Sequence, residues 1–207
     1  MALGIVYAVL HHAGTIFAGL GEVGSTRWAD WIDLATPYAV TGAAGGALRA
    51  GAAGGRCWTG FWLAAVLYTQ GHGIHLAANS VGNDLPGEDP GVVHLWDEIL
   101  GHYLWHAGFA LLVAVLAVAL ATRPPVGGPP AHLVAALVGL THLTNSIEGR
   151  TPWLGIATAT VFVVWGLRTR AGMGRYLVSS YALSLVLFAV FGVWQGGFPE
   201  FSELGWI

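Results

Sequence analysis

The sequence predicts an all-α fold, a polytopic transmembrane helical bundle of about seven spans. Three observations predict it. Charged residues make up only 9% of the 207 residues, against about 25% in a typical soluble domain. Hydrophobic residues reach 55%, with a mean hydropathy of +0.64. The apolar stretches are also close to the length a bilayer requires, and clusters of Gly and Pro separate them.

In chain order the spans fall at 3–21, 34–50, 57–80, 92–121, 131–149, 152–167 and 176–195. The first has no basic segment ahead of it and carries His11-His12 at its centre, so it reads as a retained span rather than a cleaved signal peptide. The second is short and rich in Gly and Ala, and Gly51-Ala-Ala-Gly-Gly55 separates it from the third. Asn83-Asp-Leu-Pro-Gly-Glu-Asp-Pro90 ends the third span, and Arg123-Pro-Pro-Val-Gly-Gly-Pro-Pro130 divides the fourth from the fifth. Gly149 suits the residue just past the end of the fifth, and Thr151-Pro152 suits the start of the sixth. A short amphipathic tail, Phe198 to Ile207, follows the seventh. The chain reads as a single integral membrane domain, 1–207, without internal repeats.

Smaller features fit the same picture. Gly42, Gly46, Ser179, Ser180 and Ser184 suit close helix packing. Trp28, Trp31, Trp96, Trp153, Trp194 and Trp206 suit an interfacial belt, whereas Trp105 lies deeper and could wall a substrate cavity. A single cysteine, Cys57, excludes a disulfide framework and a thiolate metal cluster. A net charge of −3, without lysine, argues against a nucleic-acid partner. Asp84, Glu88 and Asp89 share one loop but lack the EF-hand pattern, and they read as solvated.

Charge sets the expected orientation. Let side X be where the third span ends and the fourth begins, and side Y the opposite side. Alternation then puts Arg49, Arg56, Arg123, Arg168, Arg170 and Arg175 at Y, and Arg27 and Arg150 at X. The positive-inside rule makes Y cytoplasmic, with the N-terminus inside and the C-terminus outside. Every Asp and Glu falls at X or in the X half of a span.

Ionisable groups within a bilayer are costly and by default mark function. The fourth span opens His94-Leu-Trp-Asp97-Glu98-Ile-Leu-Gly-His102-Tyr-Leu-Trp-His106. There His94, Glu98, His102 and His106 recur every four residues along one slowly drifting helical stripe. The third span ends His72-Gly-Ile-His75-Leu-Ala-Ala-Asn79, with His72, His75 and Asn79 on one face. The fifth ends His142-Leu-Thr-Asn145-Ser-Ile-Glu148, with His142 and Asn145 on one face. His132 stands alone near Y and reads as a helix–helix hydrogen bonder. Counted from the X ends, depths are roughly 12 Å for His72, 9 Å for Glu98, 15 Å for His102, 10 Å for His142 and 14 Å for His11 and His12. The stripe from His94 to His106 covers roughly 18 Å, too long for one ion.

This matched depth predicts one or two transition metal ions (zinc, iron or copper) held by His72, His75, Glu98, His102, His106 and His142. Glu98 or Asp97 is the expected general base. His94, Asn79, Asn145, Glu148, His11 and His12 are expected around the ligands or the substrate. Arg150 is expected to pair with Glu148 or to hold an anionic headgroup. The favoured chemistry is zinc-type hydrolysis of a lipid or other membrane-soluble substrate. Iron- or copper-dependent oxidation is the alternative, because imidazole with carboxylate suits those metals equally. A b-type cytochrome with haem between two histidines, or a proton-coupled transporter, is the non-enzymatic reading.

The His102-x-x-x-His106 pair and the seven-span layout resemble the CREST superfamily of membrane hydrolases, which includes alkaline ceramidases and adiponectin-receptor-like proteins. That family carries its HxxxH in the last span, with Ser-x-x-x-His earlier; here the pair is in the fourth, and Ser-x-x-x-His does not occur. The resemblance implies a zinc-type hydrolase acting on a lipid or other membrane-soluble substrate. The His-rich character is also similar to membrane fatty-acid hydroxylases and desaturases, although their HxxHH boxes are missing.

Overall fold

A computed structural model describes residues 1–84, 91–124, 127–169 and 172–206, the side chains of 83 and 84 excepted. Glu88, Asp89, the side chain of Asp84, and Arg170 of the charge scheme lie outside the described residues. The described chain is all-helical apart from one small hairpin.

The first expected span, 3–21, is not a continuous helix. Helix α1, Ala2–Leu10, stops at His11-His12. The His12 side chain supplies the reason: its Nδ1 donates to Ala8 O at 2.7 Å, while its backbone N–H bonds to Val9 O instead. A side chain inserted into the helical ladder breaks it. The short α2, Ala13–Ile16, and a 3-10 turn, Ala18–Leu20, follow and end at Gly21 with φ +80°. Strands β1, Glu22–Val23, and β2, Thr26–Arg27, pair antiparallel in the register Glu22↔Arg27 and Val23↔Thr26. Helix α3, Trp28–Asp33, begins where the Arg27 backbone N–H and guanidinium both donate to the Asp30 carboxylate.

The other expected spans coincide with helices. They are α4, Thr36–Ala50, and α5, Gly55–Asp84; then α6, Gly91–His94, a π-helical turn Leu95–Gly101, and α7, His102–Ala119, which form one run. Next come α8, Gly128–Glu148, α9, Pro152–Thr169, and α10, Gly174–Gln195. Two helical runs among the described residues are long and apolar enough to cross a membrane, Gly91–Ala119 and Gly174–Gln195. Helix α4 is short at 15 residues, and Gln70, His72, His75 and Asn79 dilute the apolarity of the 30-residue α5.

Missing side chains set the helix packing. A Cβ on Gly71 would lie 2.2 Å from Trp105 N, and one on Gly108 would lie 2.3 Å from Tyr68 N. Helices α5 and α7 therefore touch backbone to backbone, as small residues permit. Gly139 of α8 approaches Ser180 O of α10 equally closely, a built Cβ falling 2.1 Å away. The main core joins Tyr7 of α1, Val40 and Leu48 of α4, Phe61 and Tyr68 of α5, and Trp105 and Phe109 of α7. A second core joins Leu143, Ile147, Phe188 and Phe191, with Phe198 and Phe201 of the tail folded back over it. Large apolar side chains stay exposed on the outward helix faces, among them Trp62, Leu133, Trp153, Val161 and Val193.

Candidate metal centre

Five imidazoles surround the indole of Trp105, which is only 7% exposed. His11 stacks on it at 5.0 Å between ring centroids, with His72 at 4.9 Å, His75 at 5.3 Å, His102 at 5.5 Å and His106 at 4.9 Å. They come from the residue that ends α1, from α5 and from α7, and the glycine contacts between α5 and α7 are what let opposing rings approach. Gly101 adds to this, since a Cβ there would lie 2.9 Å from His75 N.

Within this group, His75, Asp97 and His102 have ligand atoms that all lie within 4.8 Å of one another and could hold a metal ion. His75 Nδ1 donates to Asp97 Oδ1 at 2.5 Å, and the rings of His75 and His102 are 4.3 Å apart. The π-helical turn brings Asp97 into place. It closes its hydrogen bonds five residues on, so Asp97 and His102, five apart, share a face. The same turn interrupts the expected even stripe from His94 to His106. Glu98 Oε2 lies 3.5 Å from His102 Nδ1, close but not aligned for a hydrogen bond.

The Thr151 hydroxyl is hydrogen-bonded to His106 Nδ1 at 2.5 Å, which leaves Nε2 as the other ring nitrogen. That Nε2 is buried without a partner, as are His11 Nδ1, His72 Nδ1, His102 Nδ1, Glu98 Oε2 and Trp105 Nε1. An unpartnered buried polar atom costs about 1–3 kcal/mol. Such atoms converging here fit a site that holds a metal ion or polar ligand.

His72 is fully buried, with Nε2 3.4 Å from Asp33 Oδ1. Burial raises the Asp33 carboxyl, but the His72 imidazole and the Thr36 hydroxyl outweigh it and hold that carboxyl below its usual range. His11 Nε2 and the Tyr68 hydroxyl are hydrogen-bonded at 2.6 Å.

Other expected site residues lie elsewhere. His142 donates from Nε2 to Gly155 O at 3.0 Å and packs against Tyr181 and Phe188, away from Trp105. Its ring faces α9 and α10, because the close contact of α8 with α10 at Gly139 sets how α8 is turned. His12 bonds to Ala8 O and to Thr144, and His132 bonds to Ser179. Asn145 Nδ2 donates to the Tyr7 hydroxyl at 3.5 Å. Glu148 accepts the backbone N–H groups of Phe201 and Ser202, which anchors the tail. His94 and Asn79 are half-buried on α6 and α5.

Arg150 pairs with Glu200 and Glu203 of the tail rather than with Glu148. Burial raises the Glu200 carboxyl, and Arg150 only partly offsets this. Gly149 does stand just past the end of α8, at φ −88°, and the left-handed residue there is Arg150, at φ +49°. Glycine is required at 149 for space, since a Cβ would lie 2.7 Å from His102 Cδ2.

Asp33, Tyr68 and Thr151 are site neighbours that sequence reasoning missed. Tyr68 carried a usable signal, standing four residues before His72 on the same helical face. Thr151 read only as a helix start, and Asp33 reaches His72 through tertiary contact alone. Compared with known proteins, the chain matches no family model, no curated relative and no solved structure.

Proposed function

We propose that this chain is a multi-pass membrane enzyme that holds a metal ion at His75, Asp97 and His102 and hydrolyses a lipid or other membrane-soluble substrate. One observation carries the reading: two imidazoles and a carboxylate have ligand atoms within 4.8 Å, beside a second carboxylate, Glu98, whose Oε2 is buried without a partner. Two His and one carboxylate, with a position left open, is a known arrangement for catalytic zinc. When bound there, zinc would polarise the scissile group and bring the pKa of water to about 7.

The protein's own groups do the rest. Glu98, adjacent to Asp97 and facing His102, accepts the proton of the attacking water and returns it to the leaving group. His106, held by Thr151, presents Nε2 to the same space and orients the substrate. His11, His72 and Trp105 pack around the group and limit the access of bulk water.

Membrane placement is supported by the two long apolar runs and by the exposed apolar faces of the other helices. The arginine distribution supports a cytoplasmic N-terminus and a centre in the outer half of the bilayer.

A second reading has its own support. Two His and one carboxylate is also the ligand set of non-haem iron oxygenases, and the surplus of imidazoles suits iron or copper. Elemental analysis of the purified protein, with an absorption spectrum, separates the two. Stoichiometric zinc, no visible absorption, and hydrolysis of membrane-soluble ester or amide reporters that is lost in Asp97→Asn and Glu98→Gln support hydrolysis. Iron or copper overturns it in favour of oxidation. A haem Soret band, or no metal at all, overturns both.

A further inference from the structure

A cavity of about 640 Å³, open on one side, lies on the other side of Tyr7 from the histidine group and is lined by α1, α4, α7, α8 and α10. No residue expected to carry the metal chemistry lines it. Its walls are apolar, and small residues such as Gly4, Ala131 and Ala135 create its space. Tyr7 and Phe109, stacked at 3.8 Å between centroids, line it where α1 and α7 lead toward the histidines, and Tyr7 contacts His11 at 4.5 Å. Arg123, exposed, lines it beside Gly51 and Pro124. Its NH2 donates to Gly51 O at 2.7 Å, which fixes the guanidinium in place and leaves other donors free. No carboxylate lines the cavity among the described residues.

The size falls within the roughly 300–1,000 Å³ of small-molecule sites, and an apolar wall with a few placed polar groups is what such sites share. Ser180 and Tyr181, both buried with hydroxyls that lack partners, are part of the wall. A fixed cation beside a deep apolar space selects for an amphiphile with an anionic head and an aliphatic chain. We propose that this cavity binds one single-chain anionic amphiphile, its head on Arg123 and its chain extending toward Tyr7 and Phe109. The site is separate from the metal centre and does not depend on the hydrolytic reading.

The test uses the full chain in phosphatidylcholine nanodiscs, with radiolabelled palmitate, hexadecanol and monoacyl-glycerophosphate as probes. Saturable uptake of an anionic probe is expected, with hexadecanol about tenfold weaker. Arg123→Gln, at an exposed position, should reduce the anionic probe to the hexadecanol level and leave hexadecanol unchanged. Ala135→Phe should abolish binding by filling the space, and its thermal midpoint shows whether it has folded. His102→Gln should bind as the unaltered chain does, even where metal is lost. Palmitate binding identifies a carboxylate head; binding of monoacyl-glycerophosphate alone identifies a phosphate head. The proposal is overturned if no probe saturates, if hexadecanol matches the anionic probes, or if Arg123→Gln leaves them unchanged.

Discussion

Asp97 and His102 stand five residues apart and share a helix face because the π-helical turn Leu95–Gly101 closes its hydrogen bonds at that spacing. An α-helix would turn them well away from each other. Deleting Leu95, an exposed residue of the turn ahead of Asp97, should convert it to α-helix while Asp97 and His102 stay five residues apart, which rotates Asp97 away from His75 and His102. The expected outcome is unchanged helix content by circular dichroism with metal affinity reduced at least about tenfold, as for loss of one ligand or its orientation. Retained metal binding would show that the turn does not assemble the centre.

Contact between α5 and α7 holds the two halves of that centre together. Gly71→Ala places a methyl 2.2 Å from Trp105 N, so the helices must separate. Overpacking of this kind costs about 1–3 kcal/mol, and the metal centre should loosen with it. Gly73, where an added Cβ meets nothing within 4 Å, is the matched control. Denaturant unfolding of the two variants, with metal content measured on each, checks the contrast; Gly73→Ala should be no less stable than the unaltered chain, and a Gly71→Ala variant equally stable and equally metal-loaded would mean that close approach does not hold the centre.

His142 and His102 were expected at one site and lie in different environments. His102→Leu should remove the metal. His142→Leu should keep it, while stability falls by about 1–3 kcal/mol as the bond to Gly155 O is lost. Loss of metal in both variants would return His142 to the centre.

Asp33 confers an acid-side dependence. Its carboxyl is held below the usual range in the folded chain, so the native state binds its proton less readily than the unfolded chain does. That stabilisation is complete above the unfolded carboxylate pKa of about 4, and it fades as pH falls through the lower folded value. Thermal midpoints should therefore drop on acidification below about pH 4, and Asp33→Asn should flatten that limb. An unchanged limb would mean that other carboxylates set it.

What sequence could reveal followed from local periodicity and composition. Helices α4, α5, α8, α9 and α10, and the run through α7, lie within a few residues of the expected spans, because long apolar runs bounded by Gly and Pro leave few alternatives. The first span failed at His12, where a side chain took a carbonyl from the backbone, which no hydropathy average can register. In the candidate centre, His75, Asp97, Glu98, His102 and His106 were legible as costly groups at similar depth along their helices.

Sequence by itself therefore determined that the chain is helical and where its ionisable residues concentrate, since both depend on neighbours along one helix. Tertiary structure decided which of those residues meet. Rotation of a helix about its axis depends on contacts between chain segments: Gly71 against Trp105 turned His72 and His75 toward α7, and Gly139 against Ser180 went with a turn of His142 toward α9 and α10. The π-helical turn made the last choice, placing Asp97 with His75 and His102 and leaving Glu98 beside them.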